Sequence, residues 1–280
     1  MFQFTAATSI GAVLLTMMAA PIGAFLHRDG RSMTAVTTDR GGLVSSVPAS
    51  LSHGAFRLFA ETSPESDNEK MRMFESEGWK GIAEDLRSFP LFCIATAEDN
   101  PVAYQITVGE EKTFDVPFFY CDVTEAAAAL EKAQASSDNA TEGVDLKLLP
   151  FPLEQAFKLW CGDKAVIIPS KASILQAGAP AGTNPIGQRV PMWACLDIAE
   201  EQGEGLPPKL PIFMGLEDAN DAVLEAVGGD RAKVDDLEVV CLSLDGAIEQ
   251  LVTAAPEEAP GFAFIPPSKS MKYIEENVQQ

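Results

Sequence analysis

One ten-residue string comes back late in the chain. AVIIPSKASI, at 165–174, returns as FAFIPPSKSM at 262–271. Three further segments recur ahead of it in the same order. SFPLFCIAT from Ser88 faces RVPMWACLD from Arg189, and VPFFYCDVTEAAAALEKAQ from Val116 faces LPIFMGLEDANDAVLEAVG from Leu210. DLKLLPFPLEQAFKL from Asp145 faces DLEVVCLSLDGAIEQ from Asp236. In chain order the copies lie 101, 94, 91 and (Ser170 to Ser268) 98 residues apart. Elements that keep their order while the offset drifts are what loops of unequal length produce between two copies of one unit. The body is therefore a duplicated half of about ninety residues. The fold class expected is α+β, in two pseudo-symmetric halves, each a small, mostly antiparallel sheet with flanking helices.

Half one (71–177) opens with a helix whose apolar stripe runs through Met73, Phe74, Ile82 and Leu86, divided near Gly78 and Gly81. Strands are expected at 91–96, 102–108, 117–121, 146–150 and 165–168, and helices at 124–135, 153–160 and after Ser170. The turn EDNP at 98–101 makes the first two strands a hairpin. A Gly/Pro-rich link, 178–188, leads to half two (189–280), where EEQGEGLPPK replaces most of the second strand. Leu153, Ala156, Phe157 and Trp160 share one helix face, as do Leu244, Ala247, Ile248 and Leu251. Phe118 and Tyr120 point to one side of their strand, and Phe119 and Cys121 to the other. In the matching strand Ile212 and Met214 oppose Phe213. Both faces are thus apolar, with few helices to cover them. Either the halves bury the second face against each other, or part of it stays open as an apolar groove. Phe118, Tyr120, Ile212 and Met214 are the candidate contact positions on it.

Both Ser-Lys words follow a proline that stops a strand, and each serine is placed to cap a helix. The adjacent Lys171 and Lys269 project away from their serines, which disfavours a nucleophile pair. The only histidines are His27 and His53, near the N-terminus. The remainder therefore lacks Ser-His-Asp, Cys-His and histidine-metal chemistry. No glycine-rich phosphate loop is present, so no catalytic residue, cofactor or metal is expected. The five cysteines form no CxxC. They read as free buried thiols, with a disulfide of unreadable pairing as the alternative.

The chain has 41 acids and 20 bases, a net charge of −21. Residues 1–60 carry four arginines and two aspartates, leaving −23 on the rest. That body repels nucleic acid and anionic lipid, so no nucleic-acid partner and at most a peripheral membrane association are expected. An apolar run at 10–24, short of the ~20 residues of a membrane span, ends in small residues and reads as a signal peptide covering 1–24. Residues 25–60 are hydroxyl-rich, Arg-containing and acid-poor, like a transit peptide, and 61–70 form an acidic linker. A signal peptide followed by transit-like sequence resembles the two-part leaders of algae whose plastids lie inside extra membranes.

The words FPLFCIATAEDNPVAY, VPFFYCDVTEAAAALEKA, LKLLPFPLEQAFKL, LPIFMGLEDANDAVL, VVCLSLDGAIEQL and FAFIPPSKS, in this order and duplicated, resemble the Tic twenty-two family of the translocon at the inner chloroplast envelope. The resemblance spans roughly 81–278. It implies a soluble, non-enzymatic protein-import factor between the plastid envelope membranes, with holdase-like binding of unfolded or presequence-bearing polypeptides and envelope translocon subunits as partners. Phe118, Tyr120, Ile212 and Met214 would then be client-binding positions. The alternatives are a structural adaptor of the translocon, or an unrecognised α+β enzyme using carboxylate, Lys or Cys.

Overall fold

The computed structural model describes residues 72–108, 112–135, 145–200, 209–253 and 261–277, together with the backbone of three short strands, β1 (Phe4–Ala6), β2 (Met33–Thr37) and β3 (Ser45–Ala49). β2 and β3 pair with each other. The expected signal peptide, transit-like segment and acidic linker otherwise lie outside the described residues.

Ser76 starts the body. Its hydroxyl accepts the amide of Trp79 at 3.1 Å and caps helix α1, Glu77–Ser88. The helix runs unbroken through Gly78 and Gly81, where the sequence predicts a division. Gly78 answers to packing instead: a Cβ there would stand 2.2 Å from the carbonyl oxygen of Val252, on a helix of the other half. Trp79, Ile82 and Leu86 form the buried face, while Met73 and Phe74 pack from the turn before it.

Half one continues through β4 (Pro90–Thr96), β5 (Ala103–Val108), β6 (Lys112–Tyr120), α2 (Val123–Ala135), β7 (Leu146–Pro152), α3 (Leu153–Cys161), β8 (Val166–Ile168) and α4 (Lys171–Gln176). Half two supplies β9 (Pro191–Cys195), β10 (Ile198–Glu200), β11 (Lys209–Phe213), α5 (Leu216–Ala226), the single turn α6 (Arg231–Val234), β12 (Val239–Ser243), α7 (Leu244–Thr253), β13 (Gly261–Ile265) and α8 (Ser268–Asn277).

Both sheets have one plan. β7, β4 and β6 lie side by side antiparallel, and β8 joins the far edge of β6 in parallel. β12, β9, β11 and β13 repeat this order and these directions. β5 pairs with the earlier part of β6, residues 112–117, whereas the short β10 meets β11 only at Lys209 and carries β1 on its other side. The expected hairpin of β4 with β5 reduces to a single bridge, Ala95 to Pro101, around Asp99 at φ 64°. Pro101 offers no N–H to extend that ladder, and β5 crosses to pair with β6.

The inner faces of the sheets meet in one core. Leu91, Cys93, Phe119, Cys121 and Ile167 of half one share it with Met192, Ile212, Met214 and Phe264 of half two, around Leu86, Phe157 and Ile248 from α1, α3 and α7. The outer faces are roofed by exchange. Over half one, Phe92, Val123 and Ala126 receive Tyr273 and Ile274 from α8, the last helix of half two. Over half two, Trp193, Phe213 and Ala219 receive Ala177, at the end of α4 from half one. Each half therefore contributes its terminal helix to its partner's roof.

The repeated Ser-Lys words do not superpose. The amide of Lys171 donates to the carboxylate of Glu125 on α2 (2.8 Å), and that of Ser268 to Asp218 on α5 (3.3 Å). These pairs are the counterparts, so the extra proline of FIPPSK sets Pro267 where half one has Ser170. Ser170 caps α4, accepting from Ser173 N at 2.9 Å. Ser268 is instead the first residue of its helix, and its hydroxyl donates to Asp218.

Candidate functional site

Strand register decides which face each predicted contact residue reaches. Tyr120 stands opposite Phe92, and Phe213 stands opposite Trp193. Tyr120 and Phe213 are therefore counterparts, 93 residues apart, where matching Pro117 with Pro211 gives 94. A slip of one residue exchanges the faces of a strand. Phe118 and Tyr120 face outward from half one, while Ile212 and Met214 face the shared core beside Phe119 and Cys121. The structure does not bring the four together. Phe118 is 4% exposed, Ile212 0% and Met214 3%; Tyr120 alone is half-buried. The helix starts carried the correct register: Val123 with Leu216 and Glu125 with Asp218 are each 93 apart.

The outer face of half one consists of two apolar patches that meet at Tyr120. The first holds Ile106, Val116, Phe118, Val166 and Ile168, flanked by Tyr104, Phe114 and Ile186. Tyr104 stacks on Phe118 with centroids 4.5 Å apart and planes 15° from parallel. It is presented by the β5–β6 hairpin, which the shorter β10 cannot reproduce in half two. The second patch is the seat of α8, where Phe92 takes the edge of Tyr273 at 5.6 Å and 89°. Phe92, Leu148, Tyr273 and Ile274 were not among the predicted contact positions. The tertiary exchange that joins them spans most of the body, and no local periodicity reports it.

The electrostatics of this surface do not favour proton transfer. Burial, and then the nearby Glu125 carboxylate, push the Tyr120 hydroxyl up to about 12. Away from this surface, in the shared core and in half two, burial also raises the thiols: Cys93 to about 12, Cys241 to about 11, and Cys121 and Cys195 in the same direction. All five cysteines are free, and the four raised thiols are held protonated near neutral pH, in the form that is not nucleophilic. What the surface offers is aromatic and aliphatic area.

Solved structures that match this architecture include two Tic22 proteins. Anabaena Tic22, titled as a protein-transport protein, superposes with a TM-score of 0.55 at 18% identity, covering 70% of this chain and 96% of its own. The chain has the Tic22 fold. Tic22 from Plasmodium falciparum matches with a TM-score of 0.52 at 19% identity, over 71% of this chain and 98% of its own. No protein-family model matches the sequence, and no curated protein does. This chain thus spans nearly the whole of each Tic22 structure. Among the described residues, no helix is long and apolar enough to cross a membrane.

Proposed function

We propose that this chain is a plastid protein-import factor that holds incoming polypeptides by burying their apolar segments. The observation that carries the reading is the outer face of half one, where Tyr104, Phe114 and Tyr120 remain half-buried on a scaffold with the Tic22 fold. Aromatic side chains of this kind supply contact area with little rotamer entropy to lose. Phe118 braces that surface from beneath. Ile212 and Met214 reach a client only if the halves part, because they lie in the shared core.

The factor acts without catalysis, cofactor or metal. Its two-part leader directs it through the secretory pathway to the envelope intermembrane space of a complex plastid, where translocon subunits are its neighbours. A body charge of −23 adds long-range attraction for basic presequences and repulsion of nucleic acid. Site-specific photocross-linking from position 104, beside a precursor arrested during import, tests the reading. The expected result is an adduct with the precursor that disappears when transit is completed. Adducts with translocon subunits alone would establish the adaptor reading in its place. N-terminal sequencing of the endogenous protein is expected to find residues 1–24 removed. An intact Met1 as the main species would contradict the leader.

A further inference from the structure

Helix α8 fits its seat poorly. Of its ten residues only Ser270 is buried, Tyr273 and Ile274 are half-buried, and the other seven are exposed. Beneath it lie the buried Phe92, Val123 and Ala126, with Leu148 and Tyr120 at the margin. Ser270 is 1% exposed, and its hydroxyl has no hydrogen-bond partner. In half one the counterpart, Ser173, bonds the hydroxyl of Ser170 at 2.8 Å. The extra proline of half two removes that partner, since Pro267 stands in the place of Ser170. A buried unpaired hydroxyl penalises the docked helix and is hydrated again when the helix lifts.

The rim is acidic. Glu125 lies close enough to Tyr120 to raise its hydroxyl, and Glu217 and Asp218 hold the start of α8 through Lys269 (3.4 Å) and Ser268. Lys269 and Glu217 are both largely exposed, so this tie is screened by water and salt.

We propose that the seat of α8 is a groove for a cationic amphipathic helix, and that α8 is its resident occupant, displaced when such a helix of an incoming polypeptide enters. The occupant already seated there shows what fits: one helical turn presenting an aromatic beside a β-branched aliphatic, Tyr273 and Ile274. An incoming helix with Arg or Lys flanking such a pair keeps the apolar contacts, gains the acidic rim and need not bury an unpaired hydroxyl. Its apparent affinity is the intrinsic affinity multiplied by the fraction of molecules in which α8 is lifted, so whatever lifts α8 tightens binding. The proposal rests on the client-holding reading and names the class of segment held.

The test uses the full chain and a fluorescein-labelled peptide of about 18 residues, five helical turns, with Tyr, Ile and Leu on one face, Lys and Arg on the other, and no acidic residue. Binding is read by anisotropy, and α8 by hydrogen exchange. Tyr273→Ser loosens α8 and is expected to tighten peptide binding about tenfold. Ser270→Ala removes the unpaired hydroxyl and is expected to weaken it several-fold. Leu148→Glu, a half-exposed position on an edge strand, is expected to weaken it in both backgrounds. With saturating peptide the amides of 268–277 lose protection while those around Val123 and Ala126 gain it. The proposal is overturned if α8 stays protected with peptide bound, if Ser270→Ala and Tyr273→Ser bind alike, or if no variant binds. Suppression of aggregation of a denatured protein separates the two readings. Wild type that suppresses aggregation while α8 stays seated removes the groove and leaves client holding; loss of both removes both.

Discussion

Gly78 and Gly81 stand three residues apart in α1 and meet different surroundings. Gly78 touches the backbone of Val252 in α7, whereas nothing lies within 4 Å of where a Cβ would stand at Gly81. Gly78→Ala must push two helices from different halves apart and should cost about 1–3 kcal/mol or more. Gly81→Ala should instead stabilise the protein by about 0.5–1 kcal/mol, the helix-propensity difference. Urea unfolding of the two variants checks both signs. The buried thiols give a pH signature. With folded values raised above the ordinary ~8.5 of a free thiol, the native state keeps protons that the unfolded chain releases above about pH 9. Their contribution is complete below that point and is lost as pH climbs toward the folded values, by up to about 1.4 kcal/mol per pH unit for each buried thiol. Unfolding midpoints at pH 8 and pH 10 should therefore differ, and Cys93→Ala, at a thiol held near 12, should reduce the difference.

At the scale of elements, Ser170 and Ser268 no longer make equivalent predictions. Ser170→Ala removes the cap of α4 and strands Ser173, so it should cost about 0.5–2 kcal/mol. Ser268→Ala removes one exposed hydrogen bond to Asp218 and should cost less than about 1 kcal/mol; thermal melts of the pair measure the contrast. The near-repeat that made both look like caps also shows what the sequence could report. Strand and helix identity was legible because alternation at 118–121 and the faces of α3 and α7 are local patterns. The duplication was legible because order survives drift in spacing. Register was not, since the prolines of VPFF and LPIF align at 94 while the strands align at 93, and one residue reverses the face. The continuity of α1 was hidden because glycine breaks an isolated helix but admits a close crossing in a packed one. The contact candidates suffered most: of the four, two lie in the core and one beneath the surface, with Tyr120 left at its margin.

Across the whole molecule, the halves behave as two protomers that have exchanged their last helices. The inner faces form a core that neither half closes alone, and the roofs are completed by α4 and α8 from opposite halves. Such an arrangement holds a stable centre, with half-buried Tyr104, Phe114 and Tyr120 at the outer face of half one, the face proposed above to hold unfolded chains. The most direct measurement is suppression of aggregation of a chemically denatured protein by the purified body, titrated to equimolar amounts at low salt and again at about 1 M, where the Debye length is near 3 Å. Protection that survives the added salt, and weakens on Tyr104→Ser or Tyr120→Ser in variants that melt like wild type, is the predicted result. No protection by wild type, or protection abolished by salt and indifferent to both tyrosines, would contradict it.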